Sequence, residues 1–228
     1  VGGLGIITFV AFLSIFSARA LPVPQMEAFR QIVNAPALSD LKRQLVGILA
    51  ATGVIELAGV VLVYQFLPGE GDALGRIKWS LFHVVSAFCN AGFALQSDSL
   101  VPYQTNPGLM LTFMMLIILG GLGFLTIPEL ATYPITRTRL FRRLGFFRRL
   151  HAGEISQRLT VQSRLSIRVT GLLLVGGLAA FWLLEFDQIL RGRTVGESFL
   201  IATFQAVTPR TAGFNTVPID QLQAGTLV

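Results

Sequence analysis

The residues whose types and spacing bear on chemistry fall in two short stretches, Asn90-Ala91-Gly92-Phe93 and Thr211-Ala212-Gly213-Phe214, 121 positions apart. Neither holds an acid, a histidine or a cysteine, which leaves the backbone itself as the interacting surface. A glycine lets the backbone approach closely and adopt conformations that a side chain forbids. Backbone carbonyls presented in this way can replace the water around a cation. Each stretch follows a short apolar segment, Trp79 to Ala87 and Ser198 to Val207. The C-terminal carbonyls of such a segment, if helical, carry partial negative charge and favour a cation beyond them. The flanking Ala91 and Ala212 are small, and Phe93 and Phe214 are placed to wedge the turns from behind. A Gly-Phe turn that only caps an interfacial helix is the bland alternative, and its recurrence in two units weighs against it.

The elements that must position these turns are set by the solvent. The chain has 228 residues, 53% hydrophobic and only 13% charged, with a mean hydropathy of +0.67. That balance belongs in a bilayer. A lone Cys89 excludes an internal disulfide, and two histidines, His83 and His151, do not build a zinc or iron site. Nothing resembles a nucleotide-phosphate loop, and no nucleic-acid partner is expected.

A helix needs about 20 apolar residues to cross the hydrocarbon core, because every backbone polar group must be satisfied within the segment. Leu45 to Leu67, Gly108 to Pro128 and Leu165 to Phe186 are long enough, and Val1 to Ser17 reads as the tail of a fourth span from a longer protein. The two short apolar segments read as re-entrant half-spans. Thirteen of the 18 Lys and Arg residues lie in two connections, Arg19 to Arg43 and Arg137 to Arg168, which the positive-inside tendency places in the cytoplasm. Both turns then face outside. Gly2-Gly3-Leu4-Gly5 recurs as Gly120-Gly121-Leu122-Gly123, an offset of 118. Two motifs with nearly one period define a repeating unit of outward span, half-span, Gly turn and inward span. Residues 1–17 end one unit, 18–43 link, 44–130 form a complete unit, 131–164 are a basic linker, and 165–228 begin a third. The fold class is an all-α polytopic membrane protein, with tandem units around a central pore. Gly-Gly-Leu-Gly itself reads mainly as a packing motif, since small residues let membrane helices approach.

Ser86 to Phe93 and Thr208 to Thr216 resemble the second and third pore loops of the Trk/Ktr/HKT superfamily of potassium transporters, and the two Gly-Gly-Leu-Gly motifs resemble the ends of its inward helices. The resemblance covers nearly the whole chain. It implies four units around one pore, filter segments at Asn90 to Ala94 and Thr211 to Asn215, and Gly92 and Gly213 as selectivity glycines. It implies potassium as the transported ion, held by backbone carbonyls, with no cofactor and no enzymatic activity. It further implies the cell inner membrane, nucleotide-binding regulatory subunits on the cytoplasmic face and a homodimer. Pro209 departs from the small residue expected there. A sodium-permeable member of the superfamily and a non-conducting scaffold or sensor remain as alternatives.

Other residues carry weaker expectations. Glu56, inside a span, reads as a polar contact between helices, with an ion-pathway role as the alternative. Arg210 is expected to brace its loop against Glu197 or Asp220. His83 reads as a packing residue and Cys89 as a small buried one. The Arg-rich stretch fits contact with anionic lipid or docking of a partner.

Overall fold

A computed structural model describes residues 38–69, 72–122, 126 and 160–226. Five α-helices run through them: α1 Leu38–Phe66, α2 Ala73–Phe88, α3 Pro107–Leu122, α4 Val161–Glu185 and α5 Val195–Val207. Short 3-10 turns lie at Val101–Tyr103 and Ile219–Gln221. No strand occurs among the described residues. The chain divides into two compact units. The described residues of 55–122 and 166–226 belong to one, and those of 38–54, 126 and 160–165 to the other. The span expected at Val1 to Ser17, the Gly2 to Gly5 motif and most of the Arg-rich linker lie outside the described residues.

The short helices end where their sequences make them end. Asp72 caps α2, accepting from the backbone N–H of Leu74 at 3.3 Å and of Gly75 at 3.2 Å. Thr194 caps α5 in a reciprocal box: Glu197 N–H donates to Thr194 Oγ1 at 3.3 Å, and Thr194 N–H donates to Glu197 Oε2 at 3.0 Å. With 16 and 13 residues, α2 and α5 are about 24 and 20 Å long, too short to cross about 30 Å of hydrocarbon. Both start earlier than their purely apolar segments, because the polar caps set the first turn.

Helix ends away from water need partners for their orphan carbonyls and N–H groups. Arg76 supplies three at the end of α1, donating to the carbonyls of Tyr64 and Gly69 at 2.8 Å and of Leu67 at 2.9 Å. Asn106 serves two helices at once. Its Nδ2 donates to Phe66 O at 2.8 Å at the end of α1, and its Oδ1 accepts from Leu109 N–H at 3.1 Å at the start of α3. Glu185, fully buried at the end of α4, accepts at Oε1 from Gln223 N–H at 2.9 Å and from Thr226 Oγ1 at 2.5 Å. In the second unit Thr160 opens α4 by accepting from Ser163 N–H at 3.2 Å, and Ser163 Oγ donates to Thr126 Oγ1 at 3.2 Å.

In the first unit, α3 packs against both α2 and α5. Its core joins Val63, Trp79, Val84, Phe113, Phe204 and Phe214. The outside is apolar as well. Leu172 and Leu183 on α4 are 74% and 78% exposed, and Val54 and Leu57 on α1 are each 67% exposed. Two helices, Leu49–Phe66 within α1 and all of α4, are long and apolar enough to span a membrane. An apolar core inside an apolar exterior is the arrangement that a lipid solvent permits.

Close approach of α3 to α2 depends on Gly120. A Cβ there would collide with the Phe88 carbonyl oxygen at the end of α2, whereas one at Gly121 would meet nothing nearer than Asn90 Nδ2 at 3.8 Å. Gly120→Val in the full-length protein is therefore expected to cost about 1–3 kcal/mol, and Gly121→Ala less than about 0.5 kcal/mol. Asn106→Ala is expected to cost about 1–2 kcal/mol through the loss of two caps. Thermal unfolding of the detergent-purified protein reads all three.

Candidate functional site

The two Ala-Gly-Phe turns follow directly on α2 and α5, and the fold brings them together. Both use the same backbone device. Asn90 and Gly92 have φ of 51° and 70°, and Thr211 and Gly213 have φ of 72° and 75°. Ala91 and Ala212 between them are not left-handed. Glycine adopts a left-handed backbone without steric cost and asparagine with little. Thr211 is β-branched, so its left-handed backbone is strained, by about 1–3 kcal/mol. In each loop the alanine N–H closes the preceding helix: Ala91 N–H donates to Ser86 O at 2.8 Å, and Ala212 N–H to Thr208 O at 3.0 Å.

The loops meet backbone to backbone. A Cβ on Gly92 would strike the Ala212 carbonyl oxygen and lie 2.6 Å from Gly213 Cα. A Cβ on Gly213 would lie 3.2 Å from Gly92 Cα. Past the turns, Leu100 N–H donates to Asn215 O at 2.9 Å, and Asn215 N–H donates to Ser99 Oγ at 3.2 Å. The turn at Ser99 and Leu100 thus grips the segment that follows the second loop.

Side chains behind the loops differ between the units. Phe214 is fully buried against His83 and Phe113, at ring-centroid distances of 6.4 and 5.7 Å. Phe93 is 64% exposed. The expectation that both phenylalanines wedge their turns therefore holds for Phe214 alone among the described contacts. Phe214 packs on residues of the preceding repeat, His83 and Phe113. Asn90 is half-buried with its Nδ2 toward Gly120, while Ala212 is buried and Thr211 exposed.

Arg210 corrects a second expectation. Its Nη2 donates to Thr170 Oγ1 on α4 at 2.9 Å, while Glu197 is engaged by Thr194. The brace exists, and it runs to a hydroxyl on α4 instead of to a carboxylate. Cys89 is half-buried, not fully enclosed. Glu56 is half-buried on α1. His83 does more than pack: it is fully buried, stacks on Trp79 at 3.7 Å and uses both ring nitrogens. Sequence reasoning missed Glu185, whose only signal was a charge at the end of an apolar run.

The site contains no acid. Among the described residues no His, Cys, Asp and Glu side chains gather as a metal site. In the outer connection the Tyr103 phenol is pushed above its ordinary value, first by burial and then by the charge of Asp98, and so stays neutral. Uncharged, backbone-lined and closed by packed helices, the loops can offer carbonyl oxygens to a cation and little else.

The comparisons agree with this chemistry. A family model described as TrkH, cation transport protein, matches residues 1–228. The potassium/sodium uptake protein NtpJ of Enterococcus hirae is 31% identical over 100% of this chain and 46% of its own length. The Ktr system potassium uptake protein B of Vibrio alginolyticus is 33% identical over 97% of this chain and 45% of its own. A plant relative, cation transporter HKT1;1 of Oryza sativa subsp. japonica, is 24% identical over 93% and 40%. The chain spans about half the length of the bacterial relatives it matches. With a model match along its whole length and an all-helical, apolar-faced structure, the chain belongs to the TrkH family of cation transport proteins, polytopic membrane transporters and not enzymes.

Proposed function

We propose that the protein of which this chain is part takes up potassium across the cytoplasmic membrane, through a filter to which Asn90-Ala91-Gly92-Phe93 and Thr211-Ala212-Gly213-Phe214 contribute backbone carbonyls. The observation that carries the reading is the matched pair of left-handed residues in each loop, with Gly92 set against Ala212 and Gly213 where no Cβ fits. The names of two relatives, potassium/sodium uptake protein and potassium uptake protein B, support the ion. In this reading the filter loops face outside, the Arg-rich linkers face the cytoplasm and lipid surrounds α1 and α4. The units run as residues 1–17, 44–130 and 165–228, joined by linkers 18–43 and 131–164. Nucleotide-binding regulatory subunits and a homodimer complete the assembly.

Sodium permeation is a second reading, favoured by the name of the Enterococcus relative, potassium/sodium uptake protein. Competition between sodium and rubidium for uptake by the full-length protein separates the two. The potassium reading expects excess sodium to leave rubidium uptake nearly unchanged, and equal competition would favour the second.

The geometry orders two substitutions. Gly213→Ala forces a side chain into a left-handed backbone, a cost of about 1–2 kcal/mol, while its Cβ keeps 3.2 Å from Gly92 Cα. Gly92→Ala adds a collision with the Ala212 carbonyl and Gly213. In potassium-starved cells expressing the full-length protein, Gly213→Ala is expected to reduce uptake by about tenfold, and Gly92→Ala to abolish it. Unchanged uptake in both variants at normal membrane levels would sink the filter assignment.

A further inference from the structure

The half-helices and the strands that leave the filter are tied together twice in each unit, at matching places. In the unit of residues 44–130, Ser86 Oγ donates to Phe93 O at 2.8 Å, and Leu95 N–H donates to His83 Nε2 at 3.3 Å. In the next, Thr208 Oγ1 donates to Phe214 O at 2.6 Å, and Gln205 Nε2 donates to Thr216 Oγ1 at 3.1 Å. The helix partners, His83 and Ser86 against Gln205 and Thr208, are 122 positions apart, and the strand partners, Phe93 and Leu95 against Phe214 and Thr216, are 121 apart. The chemistry of the second rung differs between the units, and the positions do not.

Geometry explains why two rungs fit. Their helix ends are three residues apart, about 4.5 Å of rise, and their strand ends are two residues apart, about 6.6 Å if extended. A strand can therefore run beside the helix and meet it twice. Accepting from Leu95 N–H leaves Nε2 of His83 without a proton, so Nδ1 carries it and donates to Trp79 O at 2.9 Å. The ring cannot turn without breaking a bond, and its face stacks toward Phe214 of the other loop.

We infer that Ser86 and Thr208, backed by His83 and Gln205 one turn earlier, are positioning residues that set ion selectivity by holding the Phe93 and Phe214 carbonyls to the half-helices. The inference rests on the potassium-filter reading above and deepens it. The fourth carbonyl of each loop is engaged by the hydroxyl of its own half-helix. One lone pair of each Phe carbonyl is fixed in this way, and the other, with the carbonyls of Asn90, Ala91, Gly92, Thr211, Ala212 and Gly213, is left for the ion. Freed from the hydroxyl, the Phe carbonyl can swing, the loop can relax, and the difference in fit between a larger and a smaller cation shrinks.

The test is the ratio of rubidium to sodium uptake by the full-length protein at matched membrane levels, with the KM for rubidium measured separately from the maximal rate. Ser86→Ala and Thr208→Val, which remove the hydroxyls, are expected to lower the ratio by about fivefold each, the worth of one hydrogen bond. Ser86→Thr and Thr208→Ser keep a hydroxyl and are expected to retain it. A purely structural role would lower the maximal rate and leave the ratio alone. Ratios in Ser86→Ala and Thr208→Val within about twofold of the parent would overturn the inference. If those two variants fail to reach the membrane, Gln205→Leu and Thr216→Val remove the second rung, and an unchanged ratio in both overturns it equally. A parent that accumulates neither ion would instead bring down the transport reading, and the selectivity role with it.

Discussion

The contact on which the rest of the structure depends is the abutment of two backbones, Gly92 against Ala212 and Gly213. Side chains normally keep neighbouring chains apart, and here nothing stands between them. Such an approach must be held from behind, because two polar backbones in contact gain little net attraction of their own over their contacts with water. The surrounding elements supply the hold. α2 and α5 stop at the turns, the alanine N–H groups close the helix ends, and the outer turn at Ser99 and Leu100 fastens the neighbouring strand at Asn215.

The same constraint reaches into the helices. For α3 to lie close enough to support both half-helices, Gly120 must present no Cβ to the Phe88 carbonyl, and Phe113 must fill the space that His83 and Phe214 leave between the units. Arg76 and Asn106 then satisfy the helix ends that this compaction takes from water. Packing and polar satisfaction here serve one end, which is to fix a pair of loops that have no regular structure of their own.

The units are related in sequence and unequal in detail. Phe214 is enclosed by the unit before it, while Phe93 is open among the described residues. Arg76 caps the C-terminal end of α1, and at the matching end of α4 a buried Glu185 receives the chain that follows the second loop. A common backbone plan with different side-chain solutions fits a pore made of tandem units, where each position around the axis can be tuned separately.

How much was legible beforehand follows from the range of each interaction. Apolar length, half-length and the Ala-Gly-Phe recurrence are local patterns. They determined the helices, the short length of α2 and α5, the family and the candidate loops, because the solvent and the backbone impose those rules on any chain. Pairings between residues far apart carry no such mark. Arg210 has two carboxylates as reasonable partners by charge, and only the approach of α4 put Thr170 within reach. Reading the repeat from its motif pairs the loops at an offset of 121, yet the hydroxyls that hold them pair at 122. The one-residue difference lies in the turn between half-helix and filter, where a segment without periodicity can shorten and leave no trace in the pattern. Sequence alone therefore determined that two glycine loops end two half-spans. Tertiary structure decided which atoms hold them, because a hydrogen bond depends on where side chains arrive in space and not on their distance along the chain.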